Sequence, residues 1–246
     1  MNNNSIWIAF DIETSAVPYE SLSPSQQEYL IRNAKSPEEE QKKKEEMALY
    51  PYTSQVVTIG MKLIEKQDEE FINKSVVALM NNAEMDEDTE PIITEENNII
   101  YIQANEKKIL EIFWKTIDKY KKCTLISFNG RNFDAPFLML RSAVLEIMPT
   151  RNLMEGTKFN YSNHIDLIDE LTFYSNSTYG PTRKFNFDFF TRAFGLTSPK
   201  SEGVDGSHVG DLFRNKEYKT IADYCLRDVE ATWALYLRVK DYLFIR

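Results

Sequence analysis

The sequence has few cysteines, few histidines and no long hydrophobic run. Its two cysteines, Cys123 and Cys225, lie far apart with no Cys-x-x-Cys spacing, and His164 and His208 have no metal-ligand spacing. These observations disfavour a disulfide scaffold and a zinc site, and they indicate a reducing, cytoplasmic location. No apolar run approaches the roughly 18 residues that span a membrane, and residues 1–5 do not begin a signal peptide, so we expect neither membrane insertion nor secretion.

Positive charge is also scarce. The 246 residues carry 29 Lys and Arg against 38 Asp and Glu, which gives a net charge of −9 at pH 7. This balance excludes a protein that coats duplex nucleic acid through a broad basic surface, because such binding depends on cations that neutralise phosphates. It is compatible with an enzyme that holds divalent cations on carboxylates. A hydrophobic content of 42% is ample for the core of one folded domain over residues 1–246.

The pattern of apolar residues predicts an α/β fold. Short apolar or β-branched runs indicate strands at 6–10, 55–64, 76–80, 99–102 and 123–128. Apolar residues at helical spacing indicate helices at 106–120, 133–144, 185–194 and 219–243. Strands followed by alternating helix and strand favour a mixed five-stranded sheet with flanking helices.

Two polar segments interrupt this pattern. Residues 15–54 predict a helical insertion, because three consecutive Glu at 38–40 precede three Lys at 42–44 by four residues each, as in a solvated helix. Residues 81–98, rich in Asn, Glu and Asp, predict a mobile acidic loop or hairpin tip. Whether residues 21–50 bind a partner protein is left open by the sequence.

Four acids and a tyrosine lie at the ends or faces of predicted elements. Asp11 and Glu13 end the first strand two residues apart, so their side chains share one face, and Asp134 stands at a helix start. Tyr224 and Asp228 are one helical turn apart on the last helix. Each acid has an ordinary explanation, as a turn residue, a helix cap or a surface acid. Carboxylates crowded at the end of a buried strand nevertheless repel each other, and a metal ion is one way to relieve that repulsion.

The sequence strings around these residues resemble the three motifs of the DnaQ-like 3′→5′ exonucleases, DEDD class. The strings are Phe10-Asp11-Ile12-Glu13-Thr14, then Phe128-Asn129-Gly130 followed by Phe133-Asp134, and Tyr224 four residues before Asp228. The tyrosine resembles that of the tyrosine branch, because the histidine of the other branch is replaced here by Asp223. The strings His164-Ile165-Asp166-Leu167 and Gly203-Val204-Asp205-Gly206-Ser207 extend the similarity to a stand-alone group that is like the proofreading exonuclease domain of family B DNA polymerases.

This resemblance implies a fold, a cofactor and a reaction. The fold would be ribonuclease-H-like, and Asp11, Glu13, Asp134 and Asp228 would bind two Mg²⁺ or Mn²⁺ ions. Asp11 is expected to lie between the two ions, and Tyr224 is expected to orient the attacking water, since a phenol is a poor base at neutral pH. The products would be 5′-nucleoside monophosphates.

The resemblance also implies a substrate, the 3′ end of single-stranded nucleic acid. Thr14, Asn129 and Phe133 are the expected contacts with the terminal nucleotides, although such aromatic residues are more often part of a core. Arg131, Arg183 and Lys184 are candidates for contacts with backbone phosphates, although each also fits an ordinary solvated surface position. We expect DNA rather than RNA as the substrate. An exoribonuclease with the same chemistry and a catalytically silent nucleic-acid-binding module remain as alternatives, because no motif reports on the 2′-hydroxyl.

Overall fold

The computed structural model describes residues 5–68, 70–175, 177–198 and 206–245. Its strands are β1 (Ser5–Ala16), β2 (Ser54–Gln67), β3 (Glu70–Asn81), β4 (Ile92–Glu96), β5 (Ile99–Ala104), β6 (Thr124–Ser127) and β7 (His164–Asp166). Its helices are α1 (Pro24–Ile31), α2 (Pro37–Glu46), α3 (Glu106–Lys119), α4 (Asp134–Val144), α5 (Leu167–Leu171), α6 (Phe187–Ala193), α7 (Val209–Arg214) and α8 (Tyr218–Val239). Residues 203–205 of the string 203–207, which extends the family similarity, lie outside the described residues. None of the described helices is long and apolar enough to cross a membrane.

The described strands form one mixed sheet in the order β4-β5-β3-β2-β1-β6-β7. The central strand β1 pairs antiparallel with β2 and parallel with β6. Strand β3 pairs parallel with β5, and β6 pairs parallel with β7. Helices cover both faces, so the predicted α/β class and the mixed sheet of a ribonuclease-H-like fold are confirmed. The predicted number of five strands is wrong, because β4 and β7 join the sheet as well.

Strand β4 lies inside the segment 81–98, which the sequence predicts to be a mobile loop or hairpin tip. Its residues Ile92 and Ile93 are 52% and 66% exposed, so the strand has no buried face and therefore no alternating pattern. Asn97 and Asn98 have φ angles of 52° and 63°, and they join β4 to β5 as a two-residue hairpin turn of the type that requires positive φ. Residues 92–96 are thus a paired edge strand. Strand β7 escapes prediction because three residues are too few for a periodic pattern.

Side chains of β1 alternate between the two faces of the sheet. Phe10 packs into the core under α3 and α4, whereas Ala9 packs into the core under α8. Because successive side chains of a strand point to opposite faces, Asp11 and Glu13 lie on the side of Ala9. The first strand therefore directs its two acids towards α8.

The segment between β1 and β2 contains α1 and α2. The Ser23 and Ser36 hydroxyls cap these helices by accepting hydrogen bonds from backbone amides three residues later. Neither helix buries any residue, as expected from their charge pattern. The segment returns to the sheet through a short 3₁₀ turn at Met47–Leu49, where the Thr14 hydroxyl donates a hydrogen bond of 2.7 Å to the carbonyl of Ala48.

Candidate active site

The carboxyl-terminal half of β1 places two partly buried acids side by side. Burial raises the pKa of Asp11 well above its usual value, and the negative charges of Asp134, Asp228 and Glu13 raise it further. Burial also raises the pKa of Glu13, as do the charges of Asp228 and Asp134. A group of carboxylates this close together is stable only when protons or cations balance its charge.

Asp134 reaches this cluster from the first residue of α4. Its Oδ1 accepts a hydrogen bond of 2.9 Å from the backbone amide of Ile12, which lies between the two acids of β1. Burial raises the pKa of Asp134 to about 7, although this hydrogen bond opposes the shift. The simple explanation of Asp134 as a helix-start acid does not account for a hydrogen bond that joins it to another element. Asp134 is held against β1.

Gly60 allows α8 to approach the same part of the sheet. It pairs with Asp11 across β1 and β2, and a Cβ atom at position 60 would lie 2.9 Å from Cys225 Sγ and 3.0 Å from Val229 Cγ2. The close packing places Cys225 Sγ 3.5 Å from Asp11 Oδ2. Glycine is therefore required here by the proximity of a helix and not by its backbone angles.

Tyr224 and Asp228 enter the cluster from the inner face of α8. Burial raises the pKa of the Tyr224 phenol, and the negative charge of Asp228 and a hydrogen bond to it act in the same direction. The phenol is therefore protonated at neutral pH and acts as a hydrogen-bond donor. Asp223, one residue before Tyr224, lies outside the cluster, because its carboxylate accepts hydrogen bonds from Tyr101 Oη at 2.6 Å and from Lys219 Nζ at 2.9 Å.

Asp11, Glu13, Tyr224 and Asp228 line a cleft of about 220 Å³, whereas Asp134 is not among its lining residues. Its walls are Asp11, Ile12, Glu13, Phe128, Phe187, Asp188, Tyr224, Asp228 and Thr232. Sequence reasoning assigned no role to Phe187 and Asp188, which belong to α6. The available signal was the four phenylalanines within residues 185–190, which are too many for one buried face of a short helix.

The predicted nucleotide contacts lie beside the cleft, and none of them is among the residues that line it. The Thr14 hydroxyl is hydrogen-bonded to Ala48, and the Phe133 ring packs 5.5 Å from that of Phe137. Asn129 has a φ angle of 67°, and its backbone amide donates a hydrogen bond of 2.7 Å to Asp166. The contact of these three residues with a terminal nucleotide stays a prediction.

Arg131 does not lie where the sequence suggests. Its side chain is buried, and its Nη1 atom donates hydrogen bonds of 3.1 Å to the carbonyls of Leu153 and Glu155. The guanidinium also stacks 4.0 Å from the Tyr161 ring. The prediction that Arg131 contacts a backbone phosphate is therefore wrong, because internal carbonyls and an aromatic ring already surround the cation.

Comparison with known proteins identifies the family. A family described as predicted 3′-5′ exonucleases related to the exonuclease domain of PolB matches residues 64–243. The chain belongs to this family. The match to the PolB-related exonucleases includes Asp134, Tyr224 and Asp228 but begins after Asp11 and Glu13. The place of these two acids in the cluster therefore rests on the geometry of β1.

Two of the individual proteins that are similar to this chain are DNA polymerases. The catalytic subunit of DNA polymerase epsilon from Aspergillus fumigatus is 23% identical over 154 residues, which are 59% of this chain and 7% of the polymerase. Its counterpart in Emericella nidulans is 22% identical over 154 residues, again 7% of its length. An uncharacterised protein of Methanocaldococcus jannaschii is 29% identical over 156 residues, or 81% of its length. The exonuclease-like chain thus corresponds to only a small part of the polymerases.

The donor atoms in the cleft suit a divalent cation. One ligand atom from each of Asp11, Glu13 and Cys225 lies within 4.8 Å of the other two. Carboxylate oxygens are the ligands that Mg²⁺ and Mn²⁺ prefer, and Asp134 and Asp228 add further negative charge. The crowded acids therefore fit the metal dependence that is typical of this type of exonuclease.

Proposed function

We propose that the protein is a metal-dependent 3′→5′ exonuclease that hydrolyses single-stranded DNA ends to 5′-nucleoside monophosphates with two Mg²⁺ or Mn²⁺ ions. The observation that carries this proposal is a cluster of four acids from β1, α4 and α8. Asp11, Glu13 and Asp228 line the cleft, and Asp134 is hydrogen-bonded to the backbone between the two acids of β1. The pKa values of Asp11, Glu13 and Asp134 are raised. Membership of the exonuclease family supports the reaction. The polymerase relatives favour DNA as the substrate.

The four acids have distinct places in this proposal. Asp11 would lie between the two ions, because the charges of Glu13, Asp134 and Asp228 all act on it. Glu13 and Asp228 would complete one ion site, and Asp134 would hold the second ion. When bound, the two cations balance the crowded carboxylates and stabilise the negative charge that develops on the scissile phosphate.

Tyr224 would orient the attacking water by accepting a hydrogen bond at its phenol oxygen, because its single hydroxyl proton is donated to Asp228. Its raised pKa excludes it as a base at neutral pH, and its hydrogen bond to Asp228 fixes the direction of the phenol. Removal of the hydroxyl should therefore lower kcat more than it raises KM, because orientation matters most in the transition state.

The walls of the cleft favour an unpaired nucleotide. Phe128 and Phe187 are the aromatic walls, and their ring centroids lie 4.5 Å apart. Aromatic side chains stack on any exposed base, whereas bases in a duplex are already stacked on each other. A frayed or single-stranded end is thus the form of nucleic acid that the cleft suits.

The test is degradation of 5′-labelled single-stranded DNA and RNA of one sequence in Mn²⁺, Mg²⁺ or EDTA. We expect a metal-dependent ladder that shortens DNA from the 3′ end with wild-type protein and is lost in Asp228→Asn. The matched control is Asp223→Asn on the same helix, which should retain activity because Asp223 faces Tyr101 and Lys219.

Other results of the degradation assay would contradict the proposal in different ways. Degradation of RNA alone would replace the proposal with the exoribonuclease. Metal-induced stabilisation without cleavage of either strand would indicate a binding module. Equal loss of activity in both variants would contradict the assignment of the cleft as the active site.

A further inference from the structure

Residues 183–189 form a surface of cations and aromatic rings beside the cleft, which we call the α6 platform and define by Arg183, Lys184, Phe185 and Phe189. The Phe185 and Phe189 rings are stacked, with centroids 4.1 Å apart and planes 10° apart. Phe189 is 51% exposed although it lies on a helix next to a hydrophobic cluster. Phenylalanine side chains normally lie in the core, so an exposed ring stacked on a second, partly buried ring is unusual.

The platform is continuous with the cleft through a series of ring contacts. The Phe128 ring in the cleft wall lies 5.9 Å from Phe190, which lies 6.1 Å from Phe185. Phe185 in turn is stacked on Phe189. A chain of aromatic side chains therefore leads from the cleft to the exposed ring of Phe189.

Two cations accompany these rings. The Arg183 guanidinium lies 4.8 Å from the centroid of the Phe185 ring, and it forms no ion pair with a carboxylate in the part of the chain that the structure describes. Lys184 Nζ donates a hydrogen bond of 2.5 Å to Asn129 Oδ1, which ties the platform to the loop after β6. The protein as a whole has a net charge of −9, so these two neighbouring cations form a local region that attracts negative charge.

We propose that the α6 platform binds the single strand that leads into the cleft, with bases upstream of the last two nucleotides stacked on Phe189 and their phosphates close to Arg183. This inference rests on the proposed function, because it takes the cleft as the place where the terminal nucleotide is cleaved. One face of the Phe189 ring covers Phe185, and the exposed part of the side chain is available to a base. Stacking on an aromatic ring tolerates every base, so the platform would add affinity for longer strands without selecting a sequence.

The experiment compares Phe189→Ala and Arg183→Ala with wild-type protein on a dinucleotide and on a twelve-nucleotide single strand. We expect each platform variant to raise KM for the long strand at least about 5-fold, with kcat and hydrolysis of the dinucleotide unchanged. The matched control is Tyr242→Ala, which removes an exposed ring that lies 5.3 Å from Arg238 beyond the end of α8.

A second measurement keeps the platform testable if the proposed function fails. Fluorescence anisotropy of a labelled twelve-nucleotide strand in EDTA reports binding without cleavage, and Phe189→Ala and Arg183→Ala should weaken that binding at least about 5-fold relative to Tyr242→Ala. Weaker binding in a protein that cleaves nothing would reject the exonuclease and keep the platform. Equal KM and equal binding in all variants of an active enzyme would reject the platform alone, and absence of binding to any strand would reject both.

Discussion

Asp11 destabilises the folded protein whenever it is ionised without a metal, because it is surrounded by three other acids. The folded-state pKa of Asp11 lies well above its usual value, which means that the folded protein favours the protonated form of this residue. The stability that protonated Asp11 provides is present at low pH and is lost as the pH rises through the folded-state pKa. We predict that Asp11→Asn raises the Tm in EDTA at pH 8 by about 2–4 °C, which corresponds to about 1 kcal/mol for a chain of this size. The same variant should lose the increase in Tm that Mn²⁺ gives to the wild type.

Thermal unfolding at pH 8 with EDTA or Mn²⁺ measures both effects. Asp118→Asn is the control, because Asp118 is half exposed and only pairs with Lys121 at 3.4 Å on the surface. Its Tm should change little in either condition. A lower Tm of Asp11→Asn in EDTA would contradict the argument that the uncompensated acids repel each other.

His164 has the opposite dependence on pH. Burial lowers its pKa to about 3, and the Ser127 hydroxyl lies 2.8 Å from its Nε2 atom. The unfolded chain takes up a proton near pH 6.5, so the stability that neutral His164 provides is present above that pH and is lost as the pH falls towards the folded-state pKa. Between pH 8 and pH 5 this loss amounts to about 2 kcal/mol.

The variant His164→Gln removes this titration. We predict that its free energy of unfolding falls by about 2 kcal/mol less than that of the wild type between pH 8 and pH 5. Urea unfolding at the two pH values measures this difference, and the contributions of the buried acids cancel because both proteins contain them. An identical pH dependence of the two proteins would show that His164 is protonated in the folded state.

Single residues also show how far the sequence could predict the site. Spacing within an element was enough to pair Asp11 with Glu13 and Tyr224 with Asp228, because strand and helix geometry fix which side chains share a face. The burial of Arg131 could not be predicted, because its hydrogen-bond acceptors are the backbone carbonyls of Leu153 and Glu155, which lie more than 20 residues away in the sequence. Its local sequence would be the same for an exposed arginine.

At the scale of elements, the packing of α8 on β2 depends on Gly60. A methyl group there would lie about 3 Å from Cys225 and Val229, and the helix would have to move. We predict that Gly60→Ala costs about 1–3 kcal/mol, as overpacking of a core does, and that it lowers nuclease activity further by displacing Tyr224 and Asp228.

Urea unfolding and the single-strand assay, run where the variant is fully folded, separate the two effects. Gly206→Ala is the control, because a Cβ atom at position 206 has no neighbour within 4 Å among the described residues. Full activity in a folded Gly60→Ala protein would show that the distance between α8 and the sheet does not control the chemistry.

Elements were predictable where one face is buried. Helix α3 was predicted at 106–120 and occurs at Glu106–Lys119, because its apolar stripe faces the core. Strand β4 was missed since both of its faces are exposed, and its pairing depends on the turn at Asn97 and Asn98. The role of α6 was missed for a different reason. The cleft wall forms only when Phe187 and Phe190 of α6 pack against Phe128, the residue after β6, and no local pattern reports that contact.

At the scale of the whole molecule, net charge limits how nucleic acid binds. A chain with a net charge of −9 repels a polyanion at long range, and Arg183 and Lys184 are the cations placed next to the cleft in the proposed path of the strand. Each phosphate that a cation neutralises on a single strand contributes about −0.7 to the slope of log K against log salt concentration. Two contacts therefore predict a shallow slope of about −1.4.

Anisotropy titrations from roughly 50 to 200 mM salt measure this slope. They are made at constant metal concentration in the Asp228→Asn protein, so that the strand is not cleaved, and the further variants are built in that background. Arg183→Ala should reduce the magnitude of the slope by about 0.7, whereas Arg238→Ala should leave it unchanged, because Arg238 lies near the far end of α8. A slope several times steeper would mean that the strand crosses a wider basic surface than the α6 platform. An unchanged slope in Arg183→Ala would place the phosphates elsewhere. The slope is expected to be shallow because 38 Asp and Glu outnumber 29 Lys and Arg over the chain, which leaves the platform and the ions to attract the strand.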